Sequence, residues 1–289
     1  MSGHSLPSYI HNQWNGIPYL EAILRWEKEG GKSLIKELQR IQKQILATNM
    51  PHLILSCAAT QYEEMKKQHF YGVHKKIAPS ASSPWKGNFS LPPAESQVRF
   101  ISAPVAFTAY GMHTIAYRNA EAPYLYLATE LLENCILHKE IREKGGAYGG
   151  GASYSPSSGN FHLYAYRDPH LANTEKIFRQ AIERIAEGKF NESELLEAKF
   201  GVLQTLDAPV SPGNRAIVAY AWQRAGRTLP LRGEFRKKIL EAEKKQIAQA
   251  VAKHLLPQHG VLVSFLGKEL FEKEKKKITT SLPVHPIAI

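Results

Sequence analysis

The chain has 289 residues, is 43% hydrophobic and 10% aromatic, holds two cysteines, and carries a formal charge of +11. That length fits about two domains, and the composition excludes a mainly disordered or fibrous chain. Two cysteines exclude a disulfide scaffold or a multi-cysteine zinc site, and apolar stretches such as Ile101 to Tyr110 fall far short of the roughly 18–20 residues a membrane helix needs.

Met1 to Asn15 is polar and has no basic-then-apolar signal pattern. Ile17 to Glu29 has a helical pattern, with Tyr19, Leu20, Ile23 and Leu24 on one side. A second helix follows Gly30–Gly31, with Leu34, Leu38, Ile41 and Ile45 at spacings of 4, 3 and 4. His52 to Ala58 is short and apolar and reads as a buried strand; a further helix follows. Cys57 lies in that run and Cys135 in another, so both are expected to be reduced core thiols. The segment His74 to Glu95 holds Pro79, Pro84, Pro92 and Pro93 among serines and reads as a linker. It divides residues 1–90 from 91–289, and the first part looks short of a complete domain.

Gln97 to Gly111 predicts one or two strands. Pro123 suits a helix start, and the helix runs from Tyr124 to about Lys144, apolar nearly all round until Leu137 and therefore buried. Gly145–Gly146 stops it. Gly149–Ser155 and Asn160–Arg167 read as a strand pair, Phe161, Leu163 and Ala165 alternating with His162, Tyr164 and Tyr166. A helix over Glu175–Glu187 ends at Gly188. Asn191 with Glu194 forms a capping box for a helix over Glu192–Leu206. Helices over Asn214–Ala225 and about Glu234–Leu255 precede a last strand, Gly260–Leu266. Strand pairs followed by helix runs predict an α+β fold.

Several chemistries are ruled out by spacing. Gly31-Lys32-Ser33 lacks the earlier glycine of a phosphate-binding loop (Trp26 stands there) and follows a helix instead of a strand. Twelve histidines include no His-Glu-x-x-His and no His-x-x-Glu-His. His69 and His74 are five apart, His138 has no second histidine within a turn, and His254 and His259 straddle Pro257. No Gly-x-Ser-x-Gly elbow is present. The unusual stretch is Arg142-Glu143-Lys144-Gly145-Gly146-Ala147-Tyr148-Gly149-Gly150-Gly151, with five glycines in seven residues. Such a run permits close approach of another backbone. A guanidinium and a phenol flanking it are suited to donating hydrogen bonds to a carbonyl or oxyanion. On the glycines alone, a helix C-cap with a flexible hairpin is the favoured reading over a binding site.

Ile141 to Gly151 resembles a signature of the C-terminal half of pitrilysin/insulinase-type zinc metalloproteases, in the presequence protease and falcilysin branch. Tyr164-Ala165-Tyr166-Arg167-Asp168-Pro169 resembles that family's Tyr-Arg-Asp-Pro strand end. Glu197-Ala198-Lys199 falls in its next helix, and Asp207-Ala208-Pro209 resembles its Asp-Ala-Pro break. Asn15 to Leu20 fits the family's third domain more loosely. The resemblance implies four related α+β domains in two halves. Residues 1–90 would be a partial third domain with its linker and 91–289 the fourth, as two related rolls of mainly antiparallel sheet packed by helices. It further implies that zinc belongs to a missing N-terminal half, in the same polypeptide or in a partner subunit, and that this chain holds no cofactor. Arg142 and Tyr148 would then meet the peptide substrate, with Gly145 and Gly146 beside it.

Three functional readings follow. The first is the non-zinc-binding half of a peptide-degrading metalloendopeptidase, inactive alone, in a reducing compartment such as the cytoplasm or an organelle matrix. The second is a stand-alone, non-catalytic relative that binds peptides or organises a complex. The third, a nucleic-acid binder, is disfavoured because the charge is spread: 11 basic against 6 acidic residues in 1–92, and 26 against 20 in 93–289. Neither nucleic acid nor membrane is an expected partner.

Overall fold

A computed structural model describes residues 2–46, 53–73 and 89–287. Over their described residues the contacts form two units: Met1–Ile17, Leu91–Ala208 and Leu229–Ala288 in one, Pro18–Ser90 and Pro209–Thr228 in the other. The division at residue 90 expected from the linker therefore sorts two segments differently. The polar N-terminus forms a helix, α1 (Leu6–Asn15), begun by Ser5 as N-cap and Pro7 in the first turn. The Asn160 side-chain amide donates to Ser5 Oγ at 3.1 Å and to Ser8 Oγ at 2.7 Å, which ties α1 to the sheet of the first unit. Residues 74–88 of the expected linker, and His52, lie outside the described residues.

The sheet has five strands, β1 (Gln97–Phe100), β2 (Ala106–His113), β3 (Gly149–Ser155), β4 (Asn160–Asp168) and β5 (Val261–Leu266), in the order β1-β5-β2-β4-β3. Only β1 and β5 pair in parallel; the other neighbours are antiparallel. This is the α+β class with a mainly antiparallel sheet. Period-two alternation sends Thr108, Tyr110, Met112, Phe161, Leu163, Leu262 and Ser264 to the helix-covered face. There Thr108 and Ser264 hydroxyls satisfy each other at 2.8 Å. The other face carries Phe107, Ala109, His162, Tyr164 and Tyr166, all partly exposed.

The covering helices are α5 (Ala122–Leu132), α6 (Ala172–Ala186), α7 (Glu192–Leu206), α9 (Leu229–Glu241) and α10 (Lys244–His254). The helix expected over Tyr124–Lys144 has two windings. Its apolar first part is α5, and Glu133–Glu143 continues it as a π-helix, an uncommon state that is often found at functional positions. Asn191 and Glu194 cap α7 reciprocally, at 2.7 and 2.8 Å. The single helix expected over Glu234–Leu255 is instead two. Glu243 takes extended backbone (φ −104°, ψ 154°) and its N–H bonds the Gln246 side chain at 2.8 Å, which starts α10 afresh.

A short helix, α11 (Lys268–Glu274), leads into a C-terminal strap. Glu274 accepts from the Leu171 and Ala172 N–H groups at 2.7 and 2.9 Å, capping the start of α6. Glu175, with 3% of its side chain exposed, accepts from Arg179 at 3.1 Å and from both Thr279 and Thr280. Farther on, the Val98 N–H bonds Pro283 O at 2.9 Å and the His285 N–H bonds Val98 O at 2.8 Å, so the strap covers the open edge of β1.

The other unit holds α2 (Ile17–Lys28), α3 (Lys32–Leu46), α4 (Ala59–Lys67) and α8 (Arg215–Arg224). The buried strand expected at 52–58 is not formed over 53–58: no strand occurs among the unit's described residues to pair with it, and Leu53 and Cys57 are exposed. Leu38, Ile41 and Ile45 of α3 are 56, 42 and 66% exposed. The two cysteines thus differ from the expected core pair. Cys57 is exposed and Cys135 half-buried, where burial and Glu194 push its thiol up to about 11.

Candidate functional site

The π-helix ends in a wide cap. Lys144 N–H bonds Lys139 O at 3.0 Å, Gly146 N–H bonds Arg142 O at 3.0 Å, and Ala147 N–H bonds Ile141 O at 3.1 Å. Gly146 has φ +74°, the left-handed conformation a helix terminus favours. At Gly145 a Cβ would sit 2.5 Å from Ile141 O. Both glycines are therefore required by the turn itself. Buried Ile141 anchors this end of the helix.

Arg142 is exposed, and its Nη1 lies 3.2 Å from His138 Nε2 one turn earlier. Because guanidinium only donates, Nε2 accepts, and the Nδ1 proton is left to face Glu143 Oε1 at 3.3 Å. His138 is thus an orienting group for Arg142. His254 likewise has a partner, Glu121 at 2.7 Å. Lys253 and His254 together hold the Glu121 carboxyl below its usual range.

Tyr148 stands at the start of β3, 64% exposed. Its N–H donates to Arg167 O at 3.4 Å. Its ring lies 5.6 Å from that of Tyr166 at an angle of 54°, and the Arg167 guanidinium carbon sits 5.5 Å from its centroid. Arg142 and Tyr148 flank one turn but do not bond each other; each is held by its own neighbours. Tyr166, Tyr164 and His162 continue as a row of rings along β4, at centroid spacings of 6.3 and 6.0 Å.

The space beside the glycine run is taken by backbone and side chains of the same unit: a Cβ at Gly150 would fall 3.0 Å from Tyr164 O. A Cβ at Gly149 would fall 2.6 Å from Tyr166 Oη. One at Gly151 would fall 2.5 Å from Glu133 Oε2 and 2.8 Å from Tyr164 Oη. The glycines make room for the tyrosine row and for Glu133, whose carboxylate also accepts from Ala152 N–H at 3.3 Å. Burial and the Glu133 charge raise both the Tyr164 phenol and the neighbouring Glu130 carboxyl. Glu133 and Arg167 had no site role from the sequence. The alternation in β4 placed Tyr164 and Tyr166 on one face, and that was the available signal.

Among the described residues no group of three His, Cys, Asp or Glu is placed to hold a metal ion. The described side chains do not fit a zinc site. No described helix is long and apolar enough to cross a membrane.

A family model, the PreP C-terminal domain, matches residues 100–256. Among curated proteins, the mitochondrial presequence protease of Kluyveromyces lactis is 30% identical over 279 residues, which is 92% of this chain and 28% of that protein. That of Emericella nidulans is 30% identical over 283 residues, 93% of this chain and 26% of that protein. The chain spans about a quarter of the length of these relatives. Among solved structures, a peptidase inactive domain from Pseudomonas fluorescens aligns with a TM-score of 0.55 at 17% identity, covering 80% of this chain and 53% of that one. Pitrilysin aligns with a TM-score of 0.52 at 12% identity, covering 78% and 25%. At these identities the structural likeness speaks to the fold alone.

Proposed function

Because the chain belongs to the PreP C-terminal domain family, we propose that it is the half of a peptide-degrading metalloendopeptidase that closes on the substrate and binds no metal itself. The zinc, on this reading, lies in an N-terminal half encoded outside residues 1–289, in the same polypeptide or a partner subunit. Full-length relatives several times longer than this chain support that division. Their mitochondrial names support an organelle matrix as the compartment.

The observation that carries the proposal is an exposed phenol held at the mouth of the glycine turn, with an oriented guanidinium six residues before it. When a peptide bond is attacked, negative charge develops on its carbonyl oxygen. The Tyr148 hydroxyl engages no hydrogen bond among the described residues, so it is available as a donor to that oxygen. Arg142, steadied by His138, binds backbone carbonyls of the peptide through its fork of donors. Gly145 and Gly146 carry no side chain that would block the peptide from this turn.

A donor acting mainly in the transition state affects turnover more than binding. Tyr148→Phe, in the assembled protease, is expected to lower kcat by a factor on the order of a hundred to a thousand. KM and melting temperature should stay nearly unchanged. Arg142→Ala should damage both kinetic constants. Unaltered turnover in the Phe variant would remove Tyr148 from the site and leave only the family fold.

A further inference from the structure

We propose that Arg167 is a positioning residue, aimed by a β-bulge at Tyr148 so that it fixes the orientation of that phenol. The inference rests on the reading of Tyr148 as the donor to the scissile carbonyl oxygen.

The first observation is the backbone. Along the β2–β4 ladder, Phe107 faces Tyr166 but Ala106 faces Asp168, so Arg167 is the extra residue of a bulge. Its φ is +51°. The left-handed residue of such a bulge is ordinarily glycine, because a Cβ is strained there. The fold would be served better by glycine, yet an arginine occupies the position. Strained residues of this kind persist where the surroundings hold them, and they cluster at functional sites.

The second observation is the direction of the side chain. A bulge re-aims the residue it ejects. Here the guanidinium carbon comes to 5.5 Å from the centroid of the Tyr148 ring. The same residue's carbonyl accepts the Tyr148 N–H at 3.4 Å. Arg167 therefore grips Tyr148 at both its main chain and its ring. Among the described residues no carboxylate forms an ion pair with this guanidinium, so no competing partner explains its placement.

The third observation is what Tyr148 lacks. With the ring 64% exposed, burial does not select its rotamer. Among the described residues its ring meets the Tyr166 ring, at 5.6 Å, and the Arg167 guanidinium. A cation over an exposed ring is a modest attraction. It suffices to bias which way the ring faces, and misplacing a catalytic group costs rate far beyond the contact energy.

The test is a double-mutant cycle in the assembled protease with Arg167→Gly, Arg167→Lys, Tyr148→Phe and the Gly/Phe double variant. Glycine relieves the backbone strain, so Arg167→Gly is expected to melt at the same or a higher temperature. It should nonetheless lower kcat about five- to tenfold with KM within twofold. The double variant should be no slower than Tyr148→Phe alone, and Arg167→Lys, which keeps the cation, should recover part of the loss. In the 289-residue chain with ring-labelled tyrosine, the NMR signals lost in Tyr148→Phe should move toward those of a freely rotating tyrosine in Arg167→Gly. Normal turnover in Arg167→Gly, additive losses in the double variant, or a rise in KM alone would each overturn the positioning role. If Tyr148→Phe is silent, the donor assignment fails, and the NMR comparison still decides whether Arg167 orders the ring.

Discussion

Replacing Glu175 by glutamine tests how the C-terminal strap is held. The carboxylate is almost fully buried, and Oε1 alone accepts from Thr279 Oγ1 at 2.7 Å, Thr280 Oγ1 at 2.5 Å, Thr280 N–H at 3.0 Å and Arg179 at 3.1 Å. Oε2 accepts from Thr279 N–H at 3.0 Å. Glutamine keeps the shape but must place an NH2 group against at least one of these donors. The least costly arrangement puts it at the Oε2 position and strands one backbone N–H, which costs about 1–3 kcal/mol, while the remaining bonds lose their charge assistance. The total is about 3 kcal/mol, at the low end for breaking a buried charged network. For a domain of this size that lowers the melting temperature by about 6–12 °C. Burial alone would raise the Glu175 carboxyl, but the Thr280, Thr279 and Arg179 donors outweigh it and hold the group below its usual range. Its contribution is therefore complete above the unfolded carboxylate value of about 4.3 and is lost as pH falls through the lower folded value. Thermal unfolding of both proteins from pH 7 down to pH 3 measures this. A difference under about 2 °C at pH 7 would refute the reasoning, as would a gap that persists unchanged in acid.

Gly151→Ala forces Glu133 and Tyr164 from their places and should destabilise by about 1–2 kcal/mol in urea unfolding. Gly213→Ala, with nothing within 4 Å of the added methyl, should be neutral and serves as the control. Purified alone, the 289-residue chain should bind no stoichiometric zinc and cleave no peptide; metal analysis finding one tightly held zinc per chain would contradict this.

Most strands and helices of the first unit were legible because a single period ran cleanly through each. Phe161, Leu163 and Ala165 marked the buried face of β4, and Asn191 with Glu194 marked the start of α7 to the residue. The misreadings have local causes. Glu234–Leu255 keeps a helical period across Ala242–Glu243, so nothing in the apolar pattern announces the break; the Glu243 N–H bond to the Gln246 side chain marks it. His52–Ala58 has strand composition, but a strand exists only when another pairs with it, and composition carries no information about partners. At the site, the sequence singled out Arg142, Tyr148 and the glycine run. The occupants of the glycine space were illegible because Glu133 lies 18 residues before Gly151 and Tyr164 13 residues after it. The left-handed backbone at Arg167 was hidden for a related reason, since arginine gives no composition signal for positive φ.

The strand order has a consequence for synthesis. β5 is the last strand made, yet it lies between β1 and β2, and Gln97 pairs with Val263. A ribosome releases β1 through α10 before the strand that joins them exists. Until then β2 has an unpaired side and β1 has no neighbour, a long-range closure of the kind that slows folding and leaves edges open to mispairing. The β3–β4 hairpin bearing Tyr148 and Arg167 can form early, since its pairing is local. The closing of the sheet behind it must wait for the chain to reach Leu266, and the cover over β1 for His285. A frameshift or stop before Val261 therefore removes an interior strand of the sheet, not an edge strand. Such a product would leave β2-β4-β3 with an open edge and β1 without a strand partner, exposed to the chaperone and protease machinery of its compartment.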